Sequence, residues 1–126
     1  MASMTDYLED ALRGHVLLAT TYTAPATVYL ALYTTATTDA AGGTEVTGGS
    51  YARQAVDFDA GATAVAVSAA DVTFTAMPGV TVTHAAICDA STGGNMLLHG
   101  ALAAPKTVAA AADLVFPAGD ITATFA

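Results

Sequence analysis

The feature that most constrains this chain is the recurrence of short runs in which large apolar residues alternate with polar or small ones, each run bounded by turn-forming residues. Val56 and Phe58 fall on one side of such a run and Asp57 and Asp59 on the other. Val65 and Val67, Val72 and Phe74, and Ile121, Ala123 and Phe125 repeat the pattern. A period of two buries one face of a strand and solvates the other, whereas a helix needs a period of 3.6. Val28-Tyr29-Leu30-Ala31-Leu32-Tyr33 is continuously β-forming and reads as a central strand. Two further runs, 80–88 and 96–102, flank Asp89-Ala90-Ser91-Thr92-Gly93-Gly94-Asn95 and read as a hairpin that Pro105-Lys106 ends. Leu114 and Phe116 precede a turn at Pro117-Ala118-Gly119-Asp120. About seven or eight short strands at roughly 8–12 residue spacing predict a mainly β fold, an antiparallel β-sandwich or small barrel.

One helix is predicted, over about residues 5–19. Leu8, Ala11, Leu12, Val16 and Ala19 recur at three- and four-residue spacing and share one stripe. Thr5 or Ser3 can cap its start, and Asp6, Glu9 and Asp10 suit the positive end of the helix dipole. Gly14 weakens the middle, and Tyr22-Thr23-Ala24-Pro25 ends the pattern. The remainder, about 26–126, is the β-sandwich, and a chain of 126 residues is of a size to form a single domain.

Charge narrows the function classes. Only 11% of residues are charged and the formal net charge is −8. Phosphate binding needs clustered Lys and Arg, and three basic residues in all cannot supply them, so nucleic acid is not an expected partner. The hydrophobic share of 54% is inflated by alanine, and no window approaches the roughly 18 apolar residues of a membrane span. The start of the chain lacks a basic region followed by an apolar core, so a secretory leader is not predicted and synthesis and assembly in a cytoplasm are. Cys88 is the only cysteine, which excludes an internal disulfide and the zinc-ribbon spacings.

The basic residue that stands out is Arg53. It closes the stretch Gly43-Thr44-Glu45-Val46-Thr47-Gly48-Gly49-Ser50-Tyr51-Ala52-Arg53-Gln54, at the end of a long Thr/Ala/Gly loop that the sequence predicts to be exposed over 34–50. A guanidinium in so uncharged a chain pairs with a nearby carboxylate, and Glu45 is the nearest candidate, an arrangement that pins a loop against a sheet. Tyr51 reads either as core packing or as an interface anchor, since Tyr and Arg are favoured at contact centres. Glu45, Tyr51 and Arg53 are therefore the structural or interface candidates.

Catalytic and metal chemistry are weaker readings. His84 and His99 lie nearly symmetrically about the 89–95 loop, so a regular hairpin would set them close to opposite each other with Asp89 nearby. Two imidazoles and a carboxylate are a metal-ligand set, though ordinary strand histidines explain them more simply. Cys88 and His84 share a strand face but sit roughly 13 Å apart by strand rise, too far for proton transfer, and Cys88 reads as a small buried hydrophobe. His15 lies near the helix stripe and reads as a satisfied interface or core histidine rather than a base. Tyr29 and Tyr33 share a face of one strand. Gly48-Gly49 and Gly93-Gly94 lack the lysine and the strand-to-helix context of a phosphate loop. No catalytic, cofactor-binding or metal residue is assigned, no cofactor is expected, and the chain is not read as an enzyme. A sugar-binding sandwich is a further reading, for which the chain has Tyr and Asp but no Trp.

Several segments in order carry a resemblance. They are Thr5-Asp6-Tyr7-Leu8-Glu9 with Ala11-Leu12 and His15, Tyr22-Thr23-Ala24-Pro25 leading into the 28–34 run, the Gly43 to Gln54 stretch, Val82-Thr83-His84, the 89–95 loop, His99-Gly100-Ala101-Leu102, and Pro105-Lys106-Thr107-Val108. Together they resemble a family of small virion proteins of tailed bacteriophages, often labelled phage tail fibre proteins and including capsid decoration or cement proteins. Two departures are Cys88 after Ile87, where the family tends to have an aromatic, and the absence of a tryptophan near position 79. The resemblance implies a non-enzymatic part of the virion, assembled in the host cytoplasm. Long fibres carry collagen-like, coiled-coil or β-helical periods, and none is present here. On that ground the expectation is a capsid cement protein that binds the major capsid protein and copies of itself as a homotrimer. The alternative is a tail or tail-fibre component bound to other tail proteins and involved in host attachment.

Overall fold

The computed structural model describes residues 2–125. The chain begins with β1 (Ser3–Met4) and α1 (Asp6–Leu17), then runs through β2 (Val28–Tyr33), β3 (Gln54–Val56), β4 (Phe58–Ala60), β5 (Val65–Ser68) and β6 (Val72–Phe74). β7 (Val80–Cys88) and β8 (Met96–Val108) form the long hairpin, and β9 (Leu114–Phe116) and β10 (Thr122–Thr124) complete the fold. The mainly β, antiparallel architecture with one N-terminal helix is as the sequence predicts. Two strands beyond the predicted number have identifiable origins. β1 is a short edge strand on β8. The alternating run that carries Val56 and Phe58 breaks at Asp57, whose carbonyl accepts a hydrogen bond from Ala69 N–H (2.8 Å), and its halves enter different sheets.

β3 closes a five-stranded sheet ordered β1-β8-β7-β2-β3, β4 edges a three-stranded sheet ordered β10-β5-β4, and β6 pairs with β9. One core lies between them. Phe74, Phe116, Leu30, Leu32, Met77, Ile121 and Val82 are its largest fully buried side chains, drawn from the five-stranded sheet, the β6–β9 pair, the 75–79 turn and the residue just before β10. Burying each such side chain stabilises the fold by about 1.5–3 kcal/mol relative to exposure.

The central strands are also buried on their outer face. Ala31, Tyr33, Ala86, Cys88 and Met96 form a second, smaller cluster. The segment predicted to be a long exposed loop covers it: Tyr33 and Glu45 form an antiparallel bridge, Thr34 N–H donates to Thr44 O (2.9 Å), and Val46, itself 2% exposed, donates to Leu32 O (2.9 Å). Gly43 takes a φ of 116° here, and a Cβ on it would lie 3.1 Å from both Ala36 O and the Tyr33 ring. This strap is tied down further along, because Asp39 O accepts from Asp6 N–H (3.0 Å) and its carboxylate meets His99 Nε2 (2.7 Å). The segment is a largely exposed loop, as the sequence predicts, and its covering role has a physical cause: a sheet whose centre presents apolar side chains outward needs a cover.

β8 also outruns its prediction, continuing through Pro105. The pairing with β7 changes from His84 with Ala101 to Val82 with Lys106, so extra residues bulge out of the ladder where the proline, lacking an N–H, is tolerated.

The helix is shorter than predicted. Thr5, not Ser3, is the N-cap: its hydroxyl oxygen accepts from Leu8 N–H (3.4 Å) while its proton is shared between Met96 O (2.7 Å) and Leu97 O (3.0 Å) on β8. Thr5 is fully buried, so one side chain both starts the helix and fastens it to the sheet. At the far end Ala19 adopts a φ of 54° and Thr20 N–H donates back to Gly14 O (3.0 Å), closing the last turn. Only the first half of the predicted stripe is used. Leu8 is buried and Leu12 packs on the core, but Val16, Leu17 and Leu18 are 72%, 75% and 63% exposed.

Replacing Thr5 with the near-isosteric valine deletes the cap and the hydroxyl bond to the Met96 carbonyl, while Leu97 O keeps the backbone N–H of residue 5 (2.9 Å). Thr5→Val should destabilise the protein by about 1–3 kcal/mol, read as a lower midpoint in chemical denaturation with helix signal lost first.

Candidate functional site

β3 accompanies β2 only as far as the pair Leu30 and Gln54. Past that point the chain turns away, and side chains take over the work of the ladder. Leu32 N–H donates to the Tyr51 hydroxyl (2.9 Å), and the Tyr51 hydroxyl donates to Glu45 Oε2 (2.7 Å). Arg53 grips the same carboxylate in two places, Nε to Oε2 and Nη2 to Oε1, both at 2.9 Å. Its Nη1 donates to Ala90 O (3.0 Å) and Gly93 O (2.9 Å) at the tip of the β7–β8 hairpin. Arg53 thus joins three segments distant in sequence: the 34–46 strap, the start of β3 and the hairpin tip.

The cluster is largely withdrawn from water, with the Arg53 side chain 11% exposed and that of Glu45 26%. Burial pushes the Glu45 carboxyl up, but the hydrogen bonds from Arg53 and Tyr51, with the charge of Arg53, outweigh it and hold the group below its usual range. The hydrogen bonds to Glu45 push Arg53 up, against its own burial. Burial pushes the Tyr51 phenol well up, assisted by the Glu45 carboxylate. These directions favour an ionised Glu45, a charged Arg53 and a neutral Tyr51 at neutral pH, the states in which the hydrogen bonds above are made. Beneath it the Tyr51 ring stacks on Phe74 (centroids 5.9 Å, 7°), Phe74 meets Phe116 edge-on (6.0 Å, 79°), and Lys106 Nζ lies 5.4 Å from the Phe116 centroid. Of the two roles read for Tyr51 in the sequence, its ring fills the core-packing one and its hydroxyl serves the loop. Above the cluster lies a groove of ≈ 280 Å³, lined by Glu45, Tyr51, Arg53, Ser91 and Thr92 among others.

His84 and His99 are brought to one sheet face but not opposite each other. His84 pairs with Ala101 and His99 with Ala86, because a bulge between Ile87 and Cys88 shifts the register near the hairpin tip. His99 is held by Thr37 Oγ1 at Nδ1 (2.8 Å) and by Asp39 at Nε2, whereas His84 Nδ1 meets the neighbouring Thr83 hydroxyl (2.8 Å). The Asp89 carboxylate is turned to Asn95 instead. Among the described residues no three His, Cys, Asp or Glu side chains converge on a common point. Cys88 is buried, and desolvation pushes its thiol up to about 11, the reverse of an activated cysteine. Tyr33, beside it, is pushed up to about 12, by burial first. His15 is exposed and accepts at Nδ1 from Tyr22 N–H (3.1 Å), bracing the chain after the helix. The partners that sequence reasoning misses are the carbonyls of Ala90 and Gly93 and the pairing of His99 with Asp39. A backbone carbonyl carries no side-chain signature, and the His99 contact spans 60 positions.

Tyr51→Phe keeps the ring and removes the hydroxyl, leaving Leu32 N–H without its acceptor and Glu45 Oε2 with Arg53 Nε alone; the expected cost is about 1–3 kcal/mol in denaturant unfolding. The acid limb of stability gives a second check. Because the folded Glu45 pKa lies below the unfolded value of about 4.3, its contribution is complete above that pH and disappears as pH falls through the folded pKa. Glu45→Gln should therefore be less stable than the parent at neutral pH, with the difference shrinking below about pH 4.

The profile of the family described as Podophage GP4 fiber I protein gp80 matches residues 3–124. No curated protein matches the chain. The match takes in the helix, all ten strands, the strap and the Arg53 cluster, so it covers the fold described above and not an isolated motif. By that match the chain belongs to the podophage GP4 fiber I protein gp80 family of phage fibre proteins, a virion structural family.

Proposed function

We propose that this protein is a non-catalytic structural subunit of a phage tail fibre, and that it works by associating with copies of itself and with neighbouring tail proteins. The observation that carries this reading is the family match, whose description is of a fibre. It weighs against the capsid cement role favoured by sequence reasoning and for the tail-fibre alternative. The absence of fibrous repeats, which supported cement, does not oppose a fibre in which a small β domain is one part among several.

The surface supports a life spent in contact with other proteins. Val16, Leu17 and Leu18 present three consecutive large apolar side chains to solvent at the end of α1. Beside the helix, a groove of ≈ 280 Å³ is lined by Leu12, Tyr22, Pro25, Phe58 and Phe125 among others. Neighbouring apolar surface of this kind marks a protein interface. Self-association would place such surface at subunit junctions. Among the described residues no helix is long and apolar enough to cross a membrane.

Two measurements test the proposal. Antibody labelling of purified virions should decorate the tail and leave the shell bare; label on the shell would restore the cement reading. Native mass measurement should show an oligomer. Leu17→Asp should weaken it roughly tenfold or more, since losing one buried leucine contact costs about 1.5–3 kcal/mol. A parent protein that stays monomeric at high concentration would remove the self-association part of the proposal.

A further inference from the structure

Ser91 at the hairpin tip lines the groove above Arg53 and also a second, shallow groove of ≈ 390 Å³ shared with Pro25, Thr27, Tyr29, Asp89 and Ala90. We infer that this second groove is a binding site for a neutral saccharide.

Its volume lies within the range of small-molecule sites, roughly 300–1,000 Å³. Tyr29 contributes a half-buried aromatic ring on the outer face of β2. The negative face of such a ring attracts the polarised C–H groups of a pyranose and shields their apolar surface from water. Asp89 contributes the acceptors. Its Oδ1 takes the Asn95 N–H (2.7 Å) and its Oδ2 the Asn95 Nδ2 (3.1 Å), so the carboxylate is oriented before any ligand arrives. Each oxygen retains accepting capacity, and a carboxylate with two spaced oxygens suits a pair of adjacent sugar hydroxyls. Thr27 and Ser91 add hydroxyls that both donate and accept. One aromatic platform, one fixed carboxylate and hydroxyls around them meet the two needs of a sugar, an apolar face and a polar rim.

Charge selects the neutral class. Asp89 is the one charged residue among those lining the groove. The closest cation at the hairpin tip is Arg53, and its Nε, Nη1 and Nη2 are engaged with Glu45, Ala90 and Gly93. An acidic sugar would bring a second negative charge next to Asp89 on a chain of net charge −8, with no cation to offset it. This inference rests on the groove alone and does not require the fibre subunit to be an oligomer.

The test uses the full chain on an array that carries the same oligosaccharides in neutral and sialylated forms, followed by 15N NMR titration with the strongest neutral binder. Neutral glycans should bind, the sialylated forms should bind at least tenfold more weakly, and the shifted amides should cluster at 25–29 and 89–91. Tyr29→Ala should weaken binding at least tenfold. Ser91→Trp fills the mouth of the groove from an exposed position and should abolish binding with the thermal midpoint unchanged; it decides the matter if Tyr29→Ala fails to fold. Absence of neutral glycan binding, equal binding of sialylated forms, shifts elsewhere on the surface, or undiminished binding by Ser91→Trp would each overturn the inference. Native mass on the same samples separates this result from the subunit reading, since glycan binding and oligomerisation can then be lost independently.

Discussion

The arrangement depends on where one guanidinium sends its hydrogen bonds. Arg53 gives two to the Glu45 carboxylate and two to carbonyls of the hairpin tip, and Tyr51 gives a third to the same carboxylate. β2 needs this because its partner β3 leaves after Gln54, while Leu32 still has an N–H and a C=O to satisfy in a fully buried position. The N–H goes to Tyr51 and the C=O to Val46. Replacing the ion pair with apolar side chains of similar volume could hold the same region together as firmly, because both charges are partly stripped of water. What apolar packing would lack is direction. A bidentate carboxylate with two aligned carbonyls fixes the strap, the β3 entry and the hairpin tip in one relative position. Among the described residues no buried side-chain polar atom is left unsatisfied, which is the condition under which such a network stabilises a fold.

Where the sequence is periodic, it is informative. The alternations at 72–74 and 114–116 became strands because each places two apolar side chains in one core and leaves the intervening residue exposed, whereas at 65–67 the strand forms but Ala66, opposite Ala123, is the residue packed on the core and Val65 and Val67 lie half-buried on the other face. Arg53 and Glu45 were legible as a pair because so few charges compete for each other. What was not legible depends on contacts between distant segments. Val16 satisfies the helical period yet faces solvent, since β8 and β1 support only the first half of α1 and periodicity records which residues share a side, not how far the neighbouring sheet extends. The strap over 34–46 has loop composition and strand-like bonding. Its order comes from Tyr33, His99 and Asp6, none of which lies within it.

The three basic residues make the charge pattern easy to follow. Arg13 forms a surface pair with Asp10 (3.2 Å) in which both side chains are more than 60% exposed, an arrangement of little energetic weight. Arg53 is committed to the cluster, and Lys106 lies over Phe116. Most acidic residues are left to define the outer potential, and at −8 two copies repel each other at long range. The self-association proposed above would then have to use uncharged surface, and the apolar end of α1 offers three consecutive exposed large apolar side chains. Self-association through that end should strengthen as salt is added, because screening removes the repulsion and leaves the apolar contact intact.

On the reading proposed above, assembly and recognition fall to different elements. The apolar end belongs to α1, and the saccharide groove is built from the 25–29 segment and the hairpin tip, of which only the tip is tied to the Arg53 cluster. None of Pro25, Thr27, Asp89, Ala90 and Ser91 is a buried core residue, so they can change without opening a cavity. Tyr29 is constrained more, since it lies in β2 between Cys88 and Ala55. A fibre domain organised in this way can keep an aromatic platform on a rigid strand and vary the polar groups around it on loops. Its ligand preference can then shift with no change in the core or in the surface that joins subunits. The fixed carboxylate of Asp89 is the exception among the loop groups, because its partner Asn95 immediately precedes β8 and any replacement there must still close the hairpin.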